Sequence, residues 1–264
     1  MVELRTVAPA VAGSIPVTHP NTFNNFLKDL EERHLADLRF SEVTRALRAL
    51  SSAYVERRES ALADHKTLDG AGKRAAFALY YGPLHFLLVR HIITSIDATL
   101  APGLVVDLGC GTGVAGAALA TSATPPLRVL GFDTHPWTLD EARATYKAFG
   151  LRHDVRRAHV ARTRFPADTS IIVAAFVVNE LKEHDRTELL KNLTGPAQKR
   201  RVLIVEPISQ RISPWWDSWA SEFAKLGGRA DVWKARIEPP PIVKRLAKAS
   251  GLRPEMLTAR SLYL

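Results

Sequence analysis

Along the first third of the chain, apolar positions recur every three or four residues; after residue 103 they change to short unbroken runs separated by polar, glycine-containing turns. In SEVTRALRALSSAYVERRESALAD, Val43, Leu47, Leu50, Tyr54 and Leu62 fall near one helical stripe, and Ser41 is placed to cap its start. A second helical tract, AAFALYYGPLHFLLVRHIITSI, follows Asp69 and is predicted to be interrupted at Gly82 and Pro83. Residues 22 to 100 therefore read as mostly helical. The aromatics of the second tract read as core contacts with a neighbouring layer, the alternative being substrate contacts. Lys73, Arg74, Tyr80, Tyr81 and His85 are its polar groups with the reach to face a substrate.

The runs that follow predict a different architecture. LVVDL (104–108), LRVLGFD (127–133), DVRRAHV (154–160), SIIVAAFVV (170–178) and RVLIVEP (201–207) read as strands, alternating with helical segments that include LDEARATYKAFG and EHDRTELLKNL. That alternation predicts an α/β fold with a mostly parallel sheet and helices on both faces. The tail reads as more helix and a last strand, LTARSLYL. We divide the chain into an irregular arm and helical extension at 1–100 and an α/β domain at 101–264. The opening MVELRTVAPAVAGSIPVTHP carries Glu3 and Arg5 where a secretory signal needs a cleaner apolar core, and no unbroken apolar run is long enough for a membrane span. The expectation is a cytoplasmic protein with no membrane association.

One stretch carries chemistry. In VVDLGCGTGVAGAALA, glycines 109, 111 and 113 follow a buried strand and precede a helix. They permit backbone angles closed to other residues and let a ligand approach the main chain, where helix N-terminal N–H groups point. Gly111, Gly113 and Gly116 also spell the G-x-G-x-x-G of dinucleotide binders. Asp107 argues against a pyrophosphate, which its carboxylate would repel, and for a ligand bearing an ammonium and a sulfonium. Asp107, Gly109, Gly111 and Gly113 spell D-x-G-x-G-x-G, which resembles the first motif of class I S-adenosylmethionine methyltransferases.

That resemblance implies a Rossmann-like, mostly parallel seven-stranded sheet whose last strand is inserted antiparallel. It implies S-adenosyl-L-methionine as cofactor, held by the loop Asp107, Gly109, Cys110, Gly111, Thr112 and Gly113. Asp133, closing the second strand, is placed to accept from ribose hydroxyls, with helix capping alongside Thr134 as the alternative. Trp137 reads either as a contact to adenine or as an exposed cap of the next helix. His159 stands where many relatives place an acid for the adenine amino group. In FVVNEL, Phe176 to Leu181 corresponds to the loop beside the methyl-transfer centre. Asn179 then orients an acceptor and Glu180 takes its proton, unless the pair merely caps and starts a helix. The N/D-P-P-Y/F pattern of many exocyclic-amine methyltransferases is absent. Trp215, Trp219 and Phe223 recur at four-residue spacing beside Trp216, and read as a face buried against the sheet, with base stacking as the alternative.

Charge adds a partner. Lys and Arg number 36 against 27 Asp and Glu, a net charge of +9, which favours an anionic partner. Arg152, Arg156, Arg157, Arg162 and Arg164, with Lys199, Arg200 and Arg201, form the densest groups and read as an RNA-contacting face or as a solvated positive surface. A single cysteine, Cys110, excludes an intramolecular disulfide and a multi-cysteine metal site, so no metal centre is expected.

AAFALYYGPLHFLLVR, DLGCGTGVAGAA, AAFVVNELKEHDRTELLKNL and RRVLIVEPIS together resemble the methyltransferase-like small-subunit ribosomal assembly family of mitochondria and bacteria, most clearly in N-E-L followed by V-E-P. Many of its members carry a cysteine cluster at a metal centre; this chain does not. The expected function is an S-adenosylmethionine-dependent methyltransferase acting on RNA, ribosomal RNA included. The alternatives are a small-molecule or peptide methyltransferase and a catalytically silent RNA-binding assembly factor.

Overall fold

The computed structural model describes residues 5–6, 20–57, 68–96, 98, 100–195 and 200–264. Its strands are β1 (Arg5–Thr6), β2 (Leu104–Leu108), β3 (Arg128–Asp133), β4 (His153–Arg157), β5 (Thr169–Ala175), β6 (Arg201–Glu206), β7 (Arg229–Arg236) and β8 (Met256–Tyr263). They form one sheet in the order β1-β7-β8-β6-β5-β2-β3-β4, parallel except for β8, which runs antiparallel to both β6 and β7. The helices are α1 (Pro20–His34), α2 (Phe40–Arg57), α3 (Ala71–Ala76), α4 (Gly82–Ser95), α5 (Val114–Ala120), α6 (Pro136–Ala148), α7 (Glu183–Thr194), α8 (Trp216–Lys225) and α9 (Pro241–Ser250).

The unbroken apolar runs are explained by burial on both faces. Successive side chains alternate across a strand, so Val105, Val129, Ile171, Val173, Leu203 and Val205 join the core that also holds α4, α5, α6 and α9. Their neighbours Val106, Leu130, Ile172, Ala174, Val202 and Ile204 join a second core beneath α7 and α8. Trp216, Trp219 and Phe223 lie in that second core, as read from their spacing, and not on a stacking surface.

The α/β architecture, the seven long strands of the mostly parallel sheet and the antiparallel last strand are as expected, the two-residue β1 being an eighth. Two strands are additional to those read from the sequence. β7 has only Trp233 and small alanines facing inward against exposed Lys234 and Arg236, a weak alternation, and it buries Asp231, whose Oδ1 accepts from Arg229 at 2.7 Å while Oδ2 has no partner among the described residues. The expected irregular arm contributes the two-residue β1 beside β7. The expected helix break at Gly82 and Pro83 is also absent. Phe77–Tyr81 forms a π-helical turn, and α3, this turn and α4 run on as one helix from Ala71 to Ser95. Pro83 comes just after the π turn, so the change from π to α hydrogen bonding falls at the residue that has no N–H to donate.

That 25-residue helix has the length and hydropathy of a membrane span, but 78% of its most apolar window is buried within the protein. Phe86 stacks on Phe149 after α6, at 4.8 Å between ring centres, and on Phe23 of α1 at 4.9 Å. Val43, Leu47 and Leu50 of α2 are buried in the same core, while the Tyr54 side chain and Leu62 lie outside the described residues. The α1 helix is pinned to α6 by Arg33, whose guanidinium donates two 2.9 Å hydrogen bonds to the buried Glu141 carboxylate; the His34 imidazole lies 3.0 Å from the same group. Burial alone would raise the Glu141 carboxyl, but the hydrogen bonds from His34 and Arg33 hold it below its usual range. The helices before residue 100 thus share one core with the sheet.

Candidate active site

From β2 the chain moves to one side through β3 and β4, then returns to the other side through β5 and β6. The reversal leaves a crevice at the carboxyl ends of β2 and β5, where the two covering connections part, and ligands of open α/β sheets bind at such a point. The glycine loop follows β2 and FVVNEL follows β5, so the sequence-read site residues meet here.

Gly109, Gly111 and Gly113 all have positive φ, at 61°, 51° and 77°, and Gly113 ends the loop as the N-terminal cap of α5. A Cβ on Gly109 would lie 2.3 Å from Val177 Cγ2, and one on Gly113 2.9 Å from the Ala142 backbone. At Gly111 the nearest atom would be the Gly109 carbonyl, 4.0 Å away, so its outer side is open. The glycines therefore do two jobs: 109 and 113 let the loop close on β5 and α6, and 111 gives a ligand access to the main chain.

Asp107 is not the ligand contact expected from its charge. It is 1% exposed, and its Oδ2 accepts from Gly116 N and from the Tyr146 hydroxyl, each at 2.9 Å. Burial pushes its carboxyl up to about 7 against the pull of those two hydrogen bonds, and the charge on Asp133 raises it further. Asp107 shapes the loop from inside. Cys110 is likewise directed inward, with Sγ 3.1 Å from the position a Gly131 Cβ would take, and burial raises its thiol well above the usual value. Thr112 is buried where the loop meets Gly82 of α4. The loop contacts expected of Cys110 and Thr112 reduce to those of their main chain.

Asp133 closes β3 with its carboxylate accepting from Gly111 N at 3.0 Å and His135 N at 2.9 Å. It ties the two strand ends together and keeps lone pairs for a diol. The cap of α6 is His135, whose Nδ1 accepts from Trp137 N at 3.1 Å, so neither Asp133 nor Thr134 fills that role. Thr134 is exposed, and its carbonyl accepts from Arg157 Nε at 3.0 Å. Trp137 is half-buried beneath Arg74, whose guanidinium carbon is 5.7 Å from the ring centre. His159 follows β4 with Nε2 3.8 Å from Asp185, and its Nδ1 is buried with no partner.

After β5, Phe176 adopts φ of 61°, the one positive value at a non-glycine among the described residues. Val178–Glu180 then forms a 3-10 turn. Asn179 is not free to orient an acceptor: Nδ2 donates to Glu206 Oε2 at 2.7 Å, and Oδ1 accepts from Trp215 Nε1 at 2.8 Å. Glu206, fully buried at the end of β6, also accepts from Val178 N at 2.8 Å and Asn179 N at 3.3 Å. Burial pushes its carboxyl up to about 8 against these hydrogen bonds. Asn179 therefore positions the loop and is no helix cap; the cap of α7 is Lys182. Glu180 is exposed beside it. Glu206 and Tyr146 were missed by sequence reasoning. An acid at a strand end, as in V-E-P, was the available signal for Glu206; Tyr146 gave none beyond its place on a helical stripe.

The site fits S-adenosylmethionine on its own geometry: an open main-chain surface at Gly111, a carboxylate at the end of the adjoining strand, and the unpartnered Nδ1 of His159 one strand further on. The sequence profile described as "Methyltransferase domain" matches residues 105–195, which contain all of these groups. A trans-aconitate 2-methyltransferase from Methylobacterium radiotolerans is 30% identical over 150 residues, 56% of this chain and 52% of that protein. The chain thus matches about half the length of this curated relative. Among solved structures, the mitomycin 7-O-methyltransferase is similar over 80% of this chain and 59% of its own, with 14% identity and a TM-score of 0.47. A methyltransferase from Aquifex aeolicus is similar over 66% and 87%, with 16% identity and a TM-score of 0.45. Residues 105–195 thus match a methyltransferase-domain profile, and S-adenosylmethionine is the cofactor that the crevice suits.

Proposed function

We propose that the protein is an S-adenosylmethionine-dependent methyltransferase whose acceptor is RNA, ribosomal RNA included. The observation that carries the enzyme reading is the junction of Gly111 N with the Asp133 carboxylate beside a loop of three left-handed glycines. The cofactor supplies an electrophilic methyl group. Gly111 and its neighbours hold the amino-acid end by main chain, Asp133 the ribose, and His159 the adenine edge. Phe176 to Glu180, fastened by Glu206, then frames the acceptor.

RNA is supported by the charge of +9 and by β4, an edge strand that exposes Arg156 and Arg157 beside exposed Arg152, Arg162 and Arg164. Arg156 is paired with Asp154 at 2.9 Å and Arg157 with the Thr134 carbonyl, which leaves Arg152, Arg162 and Arg164 as the better phosphate contacts. The resemblance to the ribosomal assembly family rests on N-E-L and V-E-P, and Asn179 and Glu206 of these two motifs are hydrogen-bonded to one another. A second reading, a small-molecule acceptor, is favoured by the helix from Ala71 to Ser95, which lines the crevice with half-buried Phe77, Tyr81 and His85.

Transfer of a tritiated methyl group to fractionated RNA, protein and metabolites decides between them. Label in RNA, together with RNA binding that weakens steeply with salt, supports the first reading. Label confined to metabolites supports the second. Binding of RNA and S-adenosylhomocysteine without transfer to any fraction leaves a silent assembly factor.

A further inference from the structure

The acceptor side of the crevice contains a group with the position and chemistry of a base. His85 lies one turn after Gly82, at whose Cα the helix runs against the glycine loop: a Cβ there would be 3.7 Å from Thr112 Oγ1. Its ring stacks on Phe176 with centres 4.1 Å apart and planes 24° apart, which sets the imidazole at the carboxyl end of β5. Phe77 and Tyr81 flank it, their ring centres 6.4 Å and 6.0 Å away. Neither ring nitrogen of His85 has a hydrogen-bond partner among the described residues, and neither is sealed from solvent. A half-buried imidazole stacked on an aromatic wall, with both ring nitrogens within reach of solvent and neither taken by a protein group, is placed to meet whatever binds beside Phe176.

We infer that His85 is the proton acceptor of methyl transfer, facing an N–H or O–H group on a planar ring held between Phe176, Phe77 and Tyr81. This rests on the methyltransferase reading. As the methyl–sulfur bond breaks, its electron pair stays on sulfur, and a lone pair of the acceptor nitrogen or oxygen forms the new bond. The acceptor's proton passes to a His85 nitrogen, the pair of the broken N–H or O–H bond remains on the acceptor, and the imidazolium returns the proton to water. Burial lowers the imidazole to about 4, so it is neutral and ready to accept at every physiological pH. A methylated phenol oxygen that still carries its proton is a much stronger acid than such an imidazolium, so that transfer runs downhill; for a ring amine the two acidities are comparable, and loss of the imidazolium proton to water draws the step forward. Exposed Glu180 lies on the solvent side of the same loop and lacks this enclosure.

Three variants test the assignment in the full chain, using tritiated S-adenosylmethionine and total cellular RNA and metabolites as acceptors. His85→Phe keeps the stack on Phe176 without a basic nitrogen, and His85→Ala removes both. Each is expected to bind S-adenosylhomocysteine within about twofold of the parent and to lose about a hundredfold or more in single-turnover rate. Added imidazole is expected to restore part of the rate in His85→Ala but not in His85→Phe, whose ring fills the space. His153→Ala, which replaces an exposed histidine at the start of β4 and so at the far end of the strands from the crevice, is expected to retain most of the rate. Full turnover by His85→Phe would show that the ring serves only packing and would overturn the assignment. Diethyl pyrocarbonate that modifies exposed His153 but leaves His85 untouched would overturn it as well. A parent that binds S-adenosylhomocysteine yet transfers nothing to any fraction overturns the enzyme reading itself, and this proposal with it.

Discussion

The side-chain amide of Asn179 is held between two partners, donating to Glu206 Oε2 at 2.7 Å and accepting from Trp215 Nε1 at 2.8 Å. The loop after β5 is thereby fastened to the end of β6 and to the start of α8. Asn179→Ala leaves a buried carboxyl oxygen and an indole N–H without partners, and is expected to cost about 2–4 kcal/mol of stability. Methyl transfer should fall with it while affinity for S-adenosylhomocysteine changes little. Thermal melts and calorimetry on the same preparation check both. An unaltered melting temperature would mean that the loop is held by other contacts.

Asp133→Ala removes acceptors from both Gly111 N and the ribose position. We expect a ten- to hundredfold weaker S-adenosylhomocysteine affinity, about 1.5–3 kcal/mol, and no measurable NAD binding in either protein. Titration calorimetry reads all four numbers, and unchanged affinity in the variant would place the ribose elsewhere.

Two buried carboxyls make stability depend on pH in an unusual direction. Asp107 at about 7 and Glu206 at about 8 both lie above the usual carboxylate range because burial disfavours their charge. Between about pH 4 and 8 the folded protein then binds more protons at these sites than the unfolded chain does. Their contribution is fully present below the unfolded values and is lost as pH rises through the folded ones. The melting temperature of Asp107→Asn, whose amide cannot ionise, should fall less steeply between pH 5 and 8 than that of the parent. Parallel curves would mean that Asp107 is ionised in the folded state throughout.

Gly109→Ala combines a left-handed φ with a Cβ placed 2.3 Å from Val177 Cγ2. A cost of at least about 2 kcal/mol is expected, with cofactor binding impaired because the loop is pushed off β5. The same substitution at Gly111 meets open space, so its cost should be limited to the backbone term of about 1–2 kcal/mol. Denaturant unfolding of the two variants compares them directly.

Glu141→Ala leaves Arg33 without its bidentate partner at the α1–α6 contact. A loss of about 3 kcal/mol is expected, at the low end for a buried pair because Arg33 keeps 31% of its side chain in water. Urea midpoints measure it.

The central strands β2 and β5 were legible because burial on both faces leaves their middles without polar residues: Val105, Val106, Ile171 and Ile172 could hardly read otherwise. β7 escaped because its inward positions are mostly small and one holds an aspartate, so neither composition nor alternation marks it. The π turn escaped for a different reason. Gly82 and Pro83 weaken a helix locally, and only the packing of Phe86 and its neighbours on both sides keeps the helix continuous. At the site, the glycines and Asp133 were readable from spacing, since their roles are local to one loop and one strand end. The destinations of Asp107 and Asn179 were not. Each is a polar side chain near a ligand cleft in sequence terms, and each is turned inward by a partner far along the chain, Tyr146 and Glu206 respectively, that no spacing rule connects to it.

A π turn takes one residue more than a turn of α-helix. Each residue of an α-helix advances the azimuth by about 100°, so the extra one at Phe77–Tyr81 sets the bearing of every side chain that follows it. Removing a single residue there would swing His85 off Phe176 and carry the whole of α4 out of register with the sheet, although no side chain of either had been altered. Gain or loss of one residue in this turn, rather than exchange of one side chain for another, is therefore the step by which a lineage built on this fold would re-aim the wall of its crevice.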